Sequence, residues 1–280
     1  MRPSREEGLS VVMMGRDEAH HLQQSLPPLL EVADEVVFVD TGSRDQTLEL
    51  VRRAGVRLIE TPWCDNFSAP KNLGIENARY SWILSVDCDE ILQGTPDIGL
   101  AIRTLCREAS TPGFIIAIDN EMADGQVTTS QAIRLFKNHP DIRFANPVHE
   151  SVAQSLYVHW PDHPPVEAEG VRLRHLGYRE GVNREKIRRN ITILRSWLER
   201  EPDDLFGCYK LGINLRHVGA SREGMYYLQR GFELLDRETD RGSWPFAEKL
   251  VEEYFQALLD NGLLDKAREV RQKIIGWGGI

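Results

Sequence analysis

The chain has 280 residues, of which 43 are acidic and 34 basic, for a formal net charge of −9. That acidic balance, without a long basic run, excludes a sequence-independent grip on nucleic acid, so any nucleotide is expected in a specific pocket. The length suits one large domain or a domain with an appendage, and four cysteines without a CxxC pair suit a reduced, cytoplasmic chain.

No apolar run reaches membrane-span length, and the polar residues 1 to 8 do not read as a signal peptide. Attachment at the periphery of the inner membrane stays open, because lipid-linked substrates can be met through a loop or a partner.

Leu9 to Met14 reads as a first buried strand, followed by the loop Gly15-Arg16-Asp17-Glu18 and a helical pattern through Leu22, Leu26, Leu29 and Leu30. Glu35 to Asp40 is a second strand, closed by Thr41 to Thr47, and Val56 to Ile59 a third. A helix over Ala69 to Ala78, capped by Asn66 or Ser68, leads to a fourth strand, Trp82 to Val86. Four strands alternating with helices in about 80 residues predict a mostly parallel sheet covered on both faces, with ligands beyond the carboxyl ends of its strands. Asp40 and Asp87 stand at those ends.

The fourth strand stops in Asp87-Cys88-Asp89-Glu90. Residues two apart on an extended chain share a side at roughly 7 Å, so Asp87 and Asp89 can converge on one hard cation, Mg²⁺ or Mn²⁺. No Cys/His cluster favours zinc. The competing reading is an acidic turn in which Asp89 or Glu90 caps the next segment. At the end of the second strand Asp40 can accept from an imide N–H such as that of uracil, while Ser43, Asp45 and Thr47 read as residues that bond their own loop. Lys71, opening a helix, can add positive charge to a diphosphate or stand solvated on the helix surface.

Gly15-Arg16-Asp17-Glu18, Val39-Asp40-Thr41-Gly42-Ser43-Arg44-Asp45-Gln46-Thr47, Trp63-Cys64-Asp65-Asn66-Phe67-Ser68 with Lys71-Asn72, and Val86-Asp87-Cys88-Asp89-Glu90 occur in that order. Together they resemble the family 2 glycosyltransferases, and most the bacterial branch that includes lipopolysaccharide-core glucosyltransferases and peptide S-glycosyltransferases. The resemblance runs from about Leu9 to Asn190. It implies a GT-A fold, a nucleotide-diphosphate sugar donor, expected to be a UDP-sugar, a divalent metal on Asp87 and Asp89, and inversion at the anomeric carbon. The donor-binding positions it implies are Met13, Gly15, Glu18, Asp40, Thr41, Asn66, Lys71, Asp87, Cys88 and Arg134.

Gly113 to Ile118 and Gln131 to Phe136 read as two strands joined by a polar loop, Asp119 to Ser130, and are expected to shape the acceptor side. Val148-His149-Glu150 follows. An inverting displacement needs a general base opposite the leaving group, with Glu150 the first candidate and His149 the second; a merely buttressing turn is the alternative. Val171 to Leu173 reads as a last strand, and His175 beyond it as a third metal ligand or a structural histidine, within the His-x-Gly-Tyr feature that ends at Tyr178. Trp160 to Val166, with its prolines and histidines, reads as a flexible loop; His159 and His163 suggest no partner.

From Asn183 the pattern turns helical, and Tyr209, Leu211-Gly212, Leu215, Gly219 and Tyr226-Tyr227 repeat the small-and-large spacing of a tetratricopeptide hairpin, again more loosely over Leu250 to Ala267. The expected architecture is an α/β GT-A domain, a Rossmann-like mixed sheet flanked by helices over residues 1–182, followed by an all-α helical-hairpin appendage over 183–280. That appendage could cap the sheet domain, hold the acceptor, bind a protein partner or mediate self-association. The acceptor, whether glycan, lipid-linked or peptide, is not legible. Two other readings are a sugar nucleotidyltransferase, for which Gly15 to Glu18 is a poor triphosphate loop, and an inactive adaptor acting through its helices.

Overall fold

The structure, a computed structural model, describes residues 5–94, 97–177 and 184–277. The chain divides into two compact units, residues 1–182 and 183–280. The first holds eight strands: β1 (Glu6–Gly15), β2 (Glu35–Asp40), β3 (Arg57–Glu60), β4 (Tyr80–Ser85), β5 (Glu90–Gly94), β6 (Gly113–Glu121), β7 (Val127–Lys137) and β8 (Val166–His175). They form one mixed sheet in the order β3-β2-β1-β4-β7-β6-β8-β5.

The first four strands are parallel because a helix between each successive pair returns the chain to the same end of the sheet: α1 (Ala19–Val32), α2 (Thr47–Arg53) and α3 (Ser68–Asn77). Alternation along β1 builds two cores. Val11 and Met13 pack with Leu22, Leu26 and Leu29 of α1, while Val12 faces the other way against Ile75 of α3 and Phe136. The second half is antiparallel where β7 joins β4 and β6 joins β7. Two helices complete the unit, α4 (Ile98–Glu108) and α5 (Ala153–His159).

Several elements depart from the sequence reading. Glu90 begins β5, an edge strand paired with β8, and caps no helix. The supposed loop Asp119 to Ser130 is mostly strand, since β6 and β7 run on through Asp119, Asn120 and Thr128 to a short turn at Met122–Gln126. Polar alternation hid it, because its exposed face carries threonines where a core strand carries apolar groups. β8 likewise starts at Val166, and α5 was not foreseen. Trp160 packs against the second core and edge-on to His139 and His159, giving His159 a ring neighbour. Tyr178 lies outside the described residues.

Among its described residues the second unit has five α-helices: α6 (Arg184–Arg200), α7 (Leu205–His217), α8 (Ser221–Arg237), α9 (Ala247–Asp260) and α10 (Leu264–Gly276). The Glu201-Pro202-Asp203-Asp204 break separates α6 from α7, and the Asp204 carboxylate caps α7 at the Gly207 N–H. Gly212 lets α7 meet α8 closely, as a Cβ there would come to 2.6 Å of Leu228 Cγ and 3.0 Å of the Gly224 carbonyl. Leu228, Phe232, Leu250 and Tyr254 fill the core between the hairpins. Among the described residues no helix is long and apolar enough to cross a membrane.

Candidate active site

The carboxyl ends of β1, β2 and β4 meet at one rim. Gly15 is in register with Asp40, and Val12 with Ser85, so Asp40 and the residues after Ser85 flank β1 one strand away on either side, about 10 Å across the sheet. Gly15 is required there, because a Cβ would come to 2.7 Å of Cys88 Sγ and 2.8 Å of Glu18 Cγ. The Cys88 thiol donates to the Met14 carbonyl and burial holds it protonated, well above its ordinary pKa. Met13 differs: its side chain is locked in the α1-side core, one residue pair short of Gly15 at the strand's carboxyl end.

Two loops are tied together above this rim. The Ser43 hydroxyl accepts from Asp17 N–H, Thr47 Oγ1 from Glu18 N–H, and Asp45 from both Ala19 and Thr47 N–H groups. Glu18 pairs with His21 at 2.7 Å. Thr41 is buried, its N–H donating to the Gly15 carbonyl. Asp40 is 2% exposed. Its Oδ2 accepts from the Gly42 and Ser43 N–H groups at 2.8 and 3.0 Å, whereas its Oδ1 is buried without a hydrogen-bond partner. A buried acceptor in that state is costly, and native sites carrying one commonly complete it with a ligand or water.

Beyond β4 the charges pair in a chain. Lys71, 3% exposed, reaches Asp87 Oδ1 at 2.8 Å and Glu150 Oε1 at 2.6 Å. Arg134 reaches Asp87 Oδ2 at 2.8 Å and Glu90 Oε1 at 2.7 Å, and Glu90 Oε2 accepts from the Asp87 N–H. Arg134 gets there through a β-bulge, where the β6–β7 register slips between Phe114 and Ile115 and leaves it without a cross-strand partner. Burial works against ionisation of Asp87, yet Arg134 and Lys71 outweigh it and hold its carboxyl far below the usual range. Burial alone would depress the Lys71 ammonium, but Asp87 and Glu150 raise it. Burial pushes the Glu90 carboxyl up, with Arg134 opposing.

Glu150 is presented by a loop fastened to α3. The Asn72 side chain bonds the Phe144 carbonyl and N–H at 2.9 and 2.8 Å, Phe67 N–H donates to the Pro147 carbonyl, and Ala145 and Ser151 close the loop as an isolated bridge. Asn146 and His149 adopt positive φ of 71° and 54°, as do Asp17 at 59° and Asp65 at 53° in the other rim loops. Such strain in non-glycine residues concentrates at functional sites. His149 is exposed beside Glu150. Asn66 caps α3 by accepting from Ala69 N–H.

Asp89 faces elsewhere. Its Oδ2 lies 3.1 Å from His175 Nε2, and the opposite ring nitrogen, Nδ1, lies 3.0 Å from Asn120 Oδ1. Burial lowers the His175 pKa, but Asp89 overrides it and the net shift is upward. Gly177 closes this corner without a side chain; a Cβ there would collide with Asp89 Oδ2 and come to 2.6 Å of His175 Nε2.

The expected set of Asp87, Asp89 and His175 is therefore divided: Asp87 turns to two cationic side chains, and Asp89 pairs with His175 at 3.1 Å. Among the described residues no three His, Cys, Asp or Glu side chains converge. One carboxylate and one imidazole facing a space that only glycine leaves clear fit Mn²⁺ or Mg²⁺, ions that draw their remaining ligands from phosphate and water. Lys71 does not stand solvated on the helix surface, because its ammonium is buried between two carboxylates. Glu90, Asn72 and Asn120 were not assigned as site residues; Glu90 stood within the acidic motif and Asn72 beside Lys71, whereas no sequence signal pointed to Asn120.

Residues 10–157, more than half of the chain, match the profile described as glycosyl transferase family 2. A TPR repeat-containing protein of Synechococcus elongatus is 34% identical over 243 residues, covering 80% of this chain and 56% of its own length. The glycosyltransferase SunS of Bacillus subtilis is 22% identical over 229 residues, covering 80% of this chain and 53% of its own. The chain thus spans about half the length of the curated relatives it matches. Among solved structures, S. aureus TarS 1–349 in complex with UDP-GlcNAc superposes with a TM-score of 0.57 at 14% identity, over 97% of this chain and 92% of that one. The same protein with UDP gives 0.54 at 15% identity, over 94% and 87%. These likenesses carry the GT-A fold, and with the profile match they show that the chain belongs to glycosyl transferase family 2.

Proposed function

We propose that the protein is an inverting, divalent-metal-dependent glycosyltransferase that takes a sugar from a UDP-sugar and delivers it to a hydroxyl or thiol of a glycan, lipid-linked or peptide acceptor. The observation that carries this reading is the unpartnered Asp40 Oδ1, buried at the carboxyl end of β2. A uracil N3–H is a donor of the right kind for it. Thr41 and the β1–α1 loop then line the base and ribose, and Gly15, Glu18 and Cys88 form the floor between base and diphosphate. TarS, whose fold this chain shares, is described with UDP and with UDP-GlcNAc, which supports the same choice of nucleotide.

Asp89 and His175 would hold Mn²⁺ or Mg²⁺, which when bound offsets the negative charge growing on the leaving diphosphate. Glu150 acts as general base. As the acceptor oxygen or sulfur forms its bond to the anomeric carbon and the carbon–oxygen bond to the diphosphate breaks, the acceptor proton passes to the Glu150 carboxylate. Lys71 holds Glu150 and Asp87 at fixed separation, and Arg134 anchors Asp87 from its other side. His149, exposed on the same strained loop, borders the acceptor. Residues 1–182 constitute the transferase domain and 183–280 a helical domain that binds acceptor or a protein partner. The working location is the cytoplasm.

Calorimetric titration of the full chain with UDP, with and without Mn²⁺, tests the reading. Micromolar binding that strengthens with Mn²⁺ is expected, and Glu150→Gln should keep that binding while losing product by mass spectrometry. Absence of UDP binding, or a preference for UTP, would overturn it.

A further inference from the structure

The β6–β7 hairpin carries a buried amide that the proposed chemistry has not used. Asn120, 8% exposed, is in register with His175 on the neighbouring parallel strand β8 and with Thr128 on β7. Its Nδ2 lies 3.1 Å from the Thr128 carbonyl, 3.3 Å from the Ile118 carbonyl and 3.0 Å from Ser130 Oγ. Carbonyl oxygens only accept, so the NH₂ end must face them; reversing the amide would set three oxygens against one another. Oδ1 is thereby committed to His175 Nδ1 at 3.0 Å. Because that oxygen too can only accept, the contact is a hydrogen bond when Nδ1 carries a proton. Nε2 is left to face Asp89.

We infer that Asn120 is a positioning residue that fixes His175 with its proton on Nδ1 and its Nε2 directed at Asp89, so that the two present a ready pair of donor atoms to a divalent cation. The inference rests on the metal site of the proposed function, and it concerns a residue on a different hairpin from either ligand. An outer amide or carboxylate of this kind typically changes metal affinity by 10- to 100-fold. Asn120 also straps β6 to β7, so a purely structural role must be separated from a positioning one.

Two substitutions in the full chain do this. Asn120→Ala removes the acceptor. Asn120→Asp keeps an acceptor for Nδ1 but sets a second carboxylate oxygen against the Ile118 and Thr128 carbonyls, and so should damage the hairpin more. The expected result is an inversion: Asp the less stable variant by urea unfolding, yet Ala the one with Mn²⁺ affinity reduced about 10- to 100-fold by electron paramagnetic resonance titration. Long-range ¹H–¹⁵N spectra of the metal-free protein add a readout independent of any cation, with His175 keeping its Nδ1 proton in the wild type and Asn120→Asp and redistributing toward Nε2 in Asn120→Ala. Mn²⁺ affinities that follow the stability order, or an unchanged His175 pattern in Asn120→Ala, overturn the inference while the metal site stands. A wild-type protein that binds no Mn²⁺ overturns the metal site itself, and the positioning role with it.

Discussion

Lys71→Met tests the charge chain most directly. The substitution keeps the bulk of the stem against Phe144, whose ring centroid is 5.2 Å from the ammonium, and removes only the charge that separates Asp87 from Glu150. Breaking a buried ion pair by removing one partner costs about 3–5 kcal/mol. The Asp87 and Glu150 side chains are 35% and 15% exposed, so water takes up part of the loss and the lower end, about 3 kcal/mol, applies. For a unit of this size that is a fall of roughly 6–12 °C in Tm.

Adding Glu150→Gln to Lys71→Met removes the repulsion the first change creates, and should return about 1–3 kcal/mol in a double-mutant cycle. Urea unfolding of the four proteins, with hydrogen exchange at β4 reporting the sheet unit, measures both terms. A Lys71→Met protein within about 2 °C of wild type, and a cycle that closes to zero, would refute the reasoning. If Lys71 instead gripped the diphosphate, the substitution would weaken UDP binding and leave Tm in place.

Asp40→Asn should lower UDP affinity by about 10- to 100-fold, the scale of one hydrogen bond to a charged group. N3-methylated UDP should lose the same factor on the wild type and almost nothing on the variant; equal affinity for both nucleotides in the wild type would remove Asp40 from the base. Gly177→Ala should abolish Mn²⁺ binding while the unfolding midpoint stays near wild type, because the methyl enters the space between Asp89 and His175. Retained Mn²⁺ affinity would place the cation elsewhere. The depressed Asp87 carboxyl sets an acid dependence. Its folded value lies below its ordinary 3.8, so it stabilises the fold fully at neutral pH and loses that contribution only as the pH falls below about 4 toward the depressed value. The stability difference between wild type and Asp87→Asn should therefore be flat from pH 7 to about 5 and shrink below about 4; a difference that vanished by pH 6 would contradict the pairing.

The sequence by itself determined the alternation of strands and helices in the first half, the helical second half, and the rim at which Asp40 and Asp87 emerge. These are local consequences of apolar period and of where an apolar run stops. Of Ser43, Asp45 and Thr47, expected to bond their own loop, Asp45 does so at the Thr47 N–H, whereas Ser43 and Thr47 accept from Asp17 and Glu18 of the β1–α1 loop, 26 and 29 positions away. Only the tertiary structure decided who pairs with whom. Glu90 became the end of an edge strand because β8 lay beside it, and a register slip re-aimed Arg134 at Asp87. Asn120 reached His175 because β6 and β8 are parallel neighbours 55 residues apart in the chain. Lys71, which the sequence left between a diphosphate contact and a solvated helix face, pairs with the carboxylates of Asp87, 16 positions on, and Glu150, on a loop pinned to the same helix. Ion-pair choice depends on strand order and register, which distant segments settle together when the sheet closes, and no local window of residues contains that information.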